Sequence, residues 1–234
     1  MKEPPAVSRP DSRLVWDLPV RLGHWLLVTC VAGSWLTHQA GIEWFAWHRR
    51  FGYAALVLVL FRIAWGFVGT RHARFANFVA GPPAIVAYLR GGARDEAVGH
   101  NPLGALSIVA MLVLLLLQAA TGLFANDEIA NAGPFYGWVA HETSNRITAL
   151  HHANFDWLLA LIVLHVAAVA WHVRMRRSAL IRAMVTGRKD AGQVPVREAI
   201  TGSRLPLAAA IVVVLVVALA LAIRAAPEAA IALF

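Results

Sequence analysis

Residues 147–172 read ITALHHANFDWLLALIVLHVAAVAWH. The run is long and apolar enough to cross a hydrocarbon core of about 30 Å as one helix, yet it carries four histidines. Ionisable side chains in a span are expensive, so the reading turns on which of the four point the same way. At about 100° per residue, His151 and His165, fourteen residues apart, fall within roughly 40° of one another. His152 falls on nearly the opposite face. About 21 Å of helix separates His151 from His165, which sets one imidazole near each side of the membrane. His152 and His172 have a plainer reading, a hydrogen bond to another helix or a place at the head-group level.

Two more histidines match these depths. His24 lies near the start of the first apolar segment and His48 near the start of the second. Antiparallel packing then puts His24 level with His165, and His48 level with His151. Two imidazoles at each of two depths is the spacing that holds two haems stacked across a bilayer, each iron closed from both faces of the porphyrin. No Cys-x-x-Cys-His occurs, so the group would be haem b, held without thioether links. A closed zinc site would instead want three or four ligands converging at one depth.

Composition agrees with a membrane setting. Hydrophobic residues make up 59% of the 234 and charged ones only 15%, and the mean hydropathy is +0.61. Five segments are long enough to span, at about Pro19–Thr37, His48–Val68, Pro102–Phe124, Ile147–His172 and Pro206–Ala225. The first lacks an Ala-x-Ala site and is not read as a cleaved signal. The net charge of +8 raises nucleic acid as a partner, and the distribution of the basic residues rejects it. Sixteen of the twenty-one lie in residues 2–21, 71–94 and 174–204, three segments on one side of the expected bundle. The positive-inside rule makes that side the cytoplasm and puts the C-terminus outside. The single cysteine, Cys30, lies in a span and excludes a disulfide framework or a thiolate metal site.

Other residues refine the picture. Trp16 and Trp25 suit the membrane interface. Gly52 follows His48 by one turn on the same face, where a side chain would collide with a ligand plane held by that histidine. Arg62 lies inside the second apolar run, again fourteen residues after His48, and faces the same interior seam. It either snorkels to the interface or pairs with a haem propionate. Asn101-Pro102 reads as the cap and first residue of the third span, whose Gln118 and Thr121 can hydrogen-bond a cofactor or a helix. The aromatic residues of the 126–145 loop are expected to cover the outer haem.

The expected fold is an all-α membrane protein, a four-helix transmembrane haem-binding bundle plus a fifth C-terminal transmembrane helix. Residues 1–13 read as a disordered arm, 14–177 as the di-haem domain, 178–205 as a basic linker, and 206–234 as an added anchor with a short tail.

The stretches VWDLPVRLGHW (15–25), HRRFGY (48–53) with FRIAWGFVGTRHARF (61–75), GHNPLGAL (99–106) with QAATGLFANDE (118–128), and LHH (150–152) with LHVAAV (164–169) resemble one family. It is the prokaryotic cytochrome b561 group, related to the b-type cytochrome subunits of nickel-iron hydrogenases and formate dehydrogenases. The resemblance covers about Val15 to His172. It implies four core helices, two haems b, and iron ligation by His24 with His165 and by His48 with His151. The function expected is electron transfer between a quinone pool and a redox partner, such as a c-type cytochrome or a dehydrogenase subunit. The location expected is the bacterial inner membrane, with lipid and quinone as further partners and no nucleic acid. One alternative is a quinone-linked oxidoreductase that acts alone on superoxide or a ferric chelate. A second is a non-haem anchor or proton relay. His152, His172 and His100 stand in reserve as propionate or quinone contacts.

Overall fold

The computed structural model describes residues 12–91 and 98–227. Most of the arm expected to be disordered, residues 1–11, lies outside that range, as does the tail after 227. Among the described residues, seven α-helices run Leu18–Gln39 (α1), Phe45–Val68 (α2), Pro82–Leu89 (α3), Pro102–Gly122 (α4), His141–Met175 (α5), Leu180–Thr186 (α6) and Leu205–Ala225 (α7). Two short strands, Ser12–Leu14 (β1) and Arg188–Asp190 (β2), pair antiparallel.

The helix starts follow from their caps. Asp17 accepts the Val20 amide at 2.7 Å with Pro19 in the first turn of α1, and Asn101 accepts the Gly104 amide at 2.7 Å with Pro102 opening α4. Among the described residues, four helices are long and apolar enough to cross a membrane, at 42–68, Pro102–Gly122, His141–Met175 and Leu205–Ala225. Helix α1 is not among them, although its 22 residues reach about 33 Å. Arg21, His24, Thr29, Ser34, Thr37 and His38 dilute its apolar character, and it lies along α2 for most of its length.

Helix α1 packs on α2, α2 on α4, α4 on α5, and α7 on α2 with a lesser seam to α1. Among the described residues, no comparable seam joins α5 to α1 or to α2. A gap therefore runs between α5 and the α1–α2 pair, closed between the levels of His151 and His165 where Leu158 joins one cluster with Val59, against which Leu27 and Val31 pack. Val59, Leu112, Leu115 and Leu158 form the buried centre of the α2–α4–α5 side. Helix α7 is less detached than expected of an added anchor. Its Ala208 is buried with Trp16 and Trp65, and its Leu219 and Ala222 pack on Leu56 and Phe135. Phe135 of the 126–145 loop thus ties α7 to α2 and α4, and the expected roof over the outer haem is not formed by this residue.

Residues 178–205 are not a free linker. They fold back under one end of the bundle as α6, β2 and two 3-10 turns, with Ala183 and Val194 buried against Trp16 and Trp65. Ser12 and Arg13, expected in the disordered arm, belong to β1. The Arg13 guanidinium donates to the carbonyls of Ala191 (2.7 Å) and Val194, and the Ile200 amide to Leu14 O at 2.9 Å. Trp16 is accordingly 6% exposed, a core residue of this cap and not an interface tryptophan. Such burial of a large aromatic contributes about 2–3 kcal/mol.

Candidate haem sites

At the end of the bundle away from the cap, His48 on α2 and His151 on α5 face one another across the gap, with ring centroids 6.4 Å apart. Two imidazoles on one metal, with metal–nitrogen bonds of about 2.0–2.1 Å, bring their centroids to about 6 Å. The His48 Nδ1 lies 2.9 Å from the Ser34 carbonyl on α1. A carbonyl only accepts, so Nδ1 carries the proton and Nε2 presents its lone pair. That is the second contact an iron-binding histidine usually has. A Cβ on Gly52, one turn after His48, would meet nothing within 4 Å.

The His151 ring is held against α4. Its Nδ1 lies 3.0 Å from Gln118 O and 3.1 Å from Thr121 Oγ1, and its Nε2 is 3.0 Å from the Gln118 side-chain amide nitrogen. Two exposed histidines complete the group. His38 lies 6.0 Å from His48 and 6.3 Å from His152, and His152 lies 6.1 Å from His151, all between ring centroids. The sequence reading passed over His38, because a histidine at the end of a span carries no signal until its neighbours on α2 and α5 are known.

At the cap end, His24 on α1 and His165 on α5 lie across the gap within electrostatic reach of one another. The His24 Nδ1 is buried without a hydrogen-bond partner. Arg62 donates to Ala73 O at 3.2 Å, and its guanidinium lies 5.3 and 5.8 Å from the Phe75 and Phe78 ring centres. Among the described residues it forms no ion pair, so its charge is held inside by aromatic faces and one carbonyl. His100 packs between Trp16 and Phe78, at 4.6 and 4.9 Å. Burial, with Arg62, Lys189, His72 and His165 around it, lowers its pKa to about 3 and keeps it neutral. His72 bonds Glu198 O at 2.8 Å in the cap, and His172 belongs to the last turn of α5.

A helical membrane bundle with His48 and His151 paired between two helices, His24 and His165 within electrostatic reach of one another, and no cysteine attachment motif has the character of a b-type membrane cytochrome, a protein of electron transfer. The particular kind follows from comparison: the model of the prokaryotic cytochrome b561 family matches residues 15–187, and the chain belongs to that family. It is also similar to probable Ni/Fe-hydrogenase B-type cytochrome subunits. That of Azotobacter chroococcum is 26% identical over 218 residues, covering 77% of this chain and 90% of the relative. Those of Rhizobium leguminosarum and Rhodobacter capsulatus are 26% and 23% identical, over 79% of this chain and 91% and 84% of theirs.

The family implies haem b, and the residues present fit it. The His48–His151 separation suits a shared iron, the His48 tautomer is correct, and His24 has an unclaimed buried nitrogen. Only the His151 Nε2 is otherwise engaged, by Gln118.

Proposed function

We propose that the chain carries two haems b, one between His24 and His165 and one between His48 and His151, and conducts electrons across the membrane between a redox partner and the quinone pool. A haem held by these two imidazole pairs would supply one-electron redox chemistry. The residues of the chain orient that group, exclude water from it and hold a cation, Arg62, where a propionate carboxylate can be paired. The observation that carries the reading is the approach of His48 and His151 to 6.4 Å between helices α2 and α5, with His24 and His165 within electrostatic reach of one another about 21 Å further along α5.

The names of the relatives favour a nickel-iron hydrogenase as the partner. The bias of sixteen of the twenty-one basic residues to one side favours a cytoplasmic cap, five spans with α1 among them, and a C-terminus outside. A stand-alone reductase of superoxide or ferric chelate has no observation of its own to favour it.

The pyridine haemochrome spectrum of the purified protein tests the reading, with two haems b per chain as the expected stoichiometry. His24→Ala or His165→Ala should remove one centre, and His48→Ala or His151→Ala the other. Retention of both haems in His151→Ala, with loss in His152→Ala, would assign the far-end ligand to His152.

A further inference from the structure

Helix α4 carries no histidine, yet it grips one. Thr121 Oγ1 lies 2.7 Å from the Leu117 carbonyl, which can only accept, so the hydroxyl proton is committed there. The oxygen therefore meets His151 Nδ1, 3.1 Å away, with a lone pair. The Gln118 carbonyl, 3.0 Å from the same nitrogen, also only accepts. Both contacts require the ring proton on Nδ1. The opposite edge agrees independently. The Gln118 side-chain oxygen accepts from Asn154 at 2.7 Å, which turns its amide N–H toward His151 Nε2 at 3.0 Å and requires a lone pair there. Asn154 is itself 3% exposed and also donates to Leu114 O at 3.0 Å, so this chain of bonds is fixed in the α4–α5 seam. Gly122 completes the cradle, since a Cβ there would stand 3.1 Å from His151 Cε1.

We propose that Thr121 is a positioning residue for His151, one that fixes its Nδ1–H tautomer and ring direction and so sets the redox poise of the far-end haem. The inference rests on the proposed His48–His151 pairing. Donation from Nδ1 raises the electron density at Nε2, and the ferric ion draws on that density more than the ferrous ion does. The Thr121 contact therefore favours the oxidised state. The Gln118 side chain acts in the other sense, because its amide competes with a metal for Nε2.

The test is potentiometric titration of the intact haem-loaded protein. The far-end centre is identified as the one missing from His48→Ala. Thr121→Val should retain both haems and shift that centre's redox equilibrium toward the reduced form by about tenfold. For a one-electron couple that is a rise of about 59 mV. The other midpoint should stay in place, and Thr121→Ser, which keeps the hydroxyl, should behave as the parent. Thr121→Ala, also without the hydroxyl, should move the same midpoint in the same direction and serves if the valine variant fails to assemble. Unmoved midpoints in both hydroxyl-free variants, or a serine variant that shifts as far as they do, would overturn the proposal. A parent with fewer than two haems would instead overturn the di-haem reading, and would be seen before any substitution is made.

Discussion

Arg62 shows how far a single residue can be read. Its place fourteen residues after His48 in an apolar run put it inside the bundle, and the guanidinium does lie there, over Phe75 and Phe78. A buried cation near a haem stabilises the reduced state, since reduction adds a negative charge in a weakly polarisable setting. Arg62→Gln should lower the midpoint of the cap-end haem by roughly 40 mV, on the order of 1 kcal/mol, and spare the other. Equal midpoints in a folded variant would leave Arg62 a purely structural cation. The contacts that orient the histidines were less legible. Ser34 acts on His48 through its backbone carbonyl, and Thr121 reaches His151 across a helix seam. Both depend on how each helix is rotated about its axis, which spacing alone does not fix.

At the scale of elements, Asp17 joins α1 to α2. It is 1% exposed, caps α1, and accepts from Trp65 Nε1 at 3.1 Å and from the Thr70 hydroxyl at the end of α2. Asp17→Ala removes a cap worth about 0.5–2 kcal/mol and strands two buried donors, for a total loss on the order of 3 kcal/mol. Thermal unfolding of the haem-loaded protein in detergent should show this loss, with Asp17→Asn milder because it keeps an acceptor. A change in Asp17→Ala within about 0.5 kcal/mol would remove the latch from the account. Four of the five expected spans were legible because an unbroken apolar run of about twenty residues matches the thickness of the hydrocarbon core, and few water-soluble helices are apolar on every face; α1, diluted by polar residues, is not among the four. The cap was not. Its order comes from three-residue strands distant in sequence and from Ala183 and Val194, small apolar residues in a basic segment with no periodic pattern. The role of α7 was hidden for a related reason, since an all-aliphatic helix does not reveal which face meets protein and which meets lipid.

For the whole molecule, the consequence is direction. The two proposed sites, about 21 Å apart along α5, would place the ends of an electron path near opposite faces of the membrane. Moving one charge through the full potential involves about 2.3 kcal/mol per 100 mV, so a path of this depth responds to voltage, and one confined to a single face does not. The central claim is that electrons cross through this chain. Sealed vesicles bearing the protein, with a membrane-impermeant reductant outside and a membrane-impermeant acceptor inside, test it most directly. The account predicts reduction of both haems and of the internal acceptor, with transfer abolished in His24→Ala and in His48→Ala. Reduction of both haems with no electron reaching the internal acceptor, even after quinone is added, would contradict it.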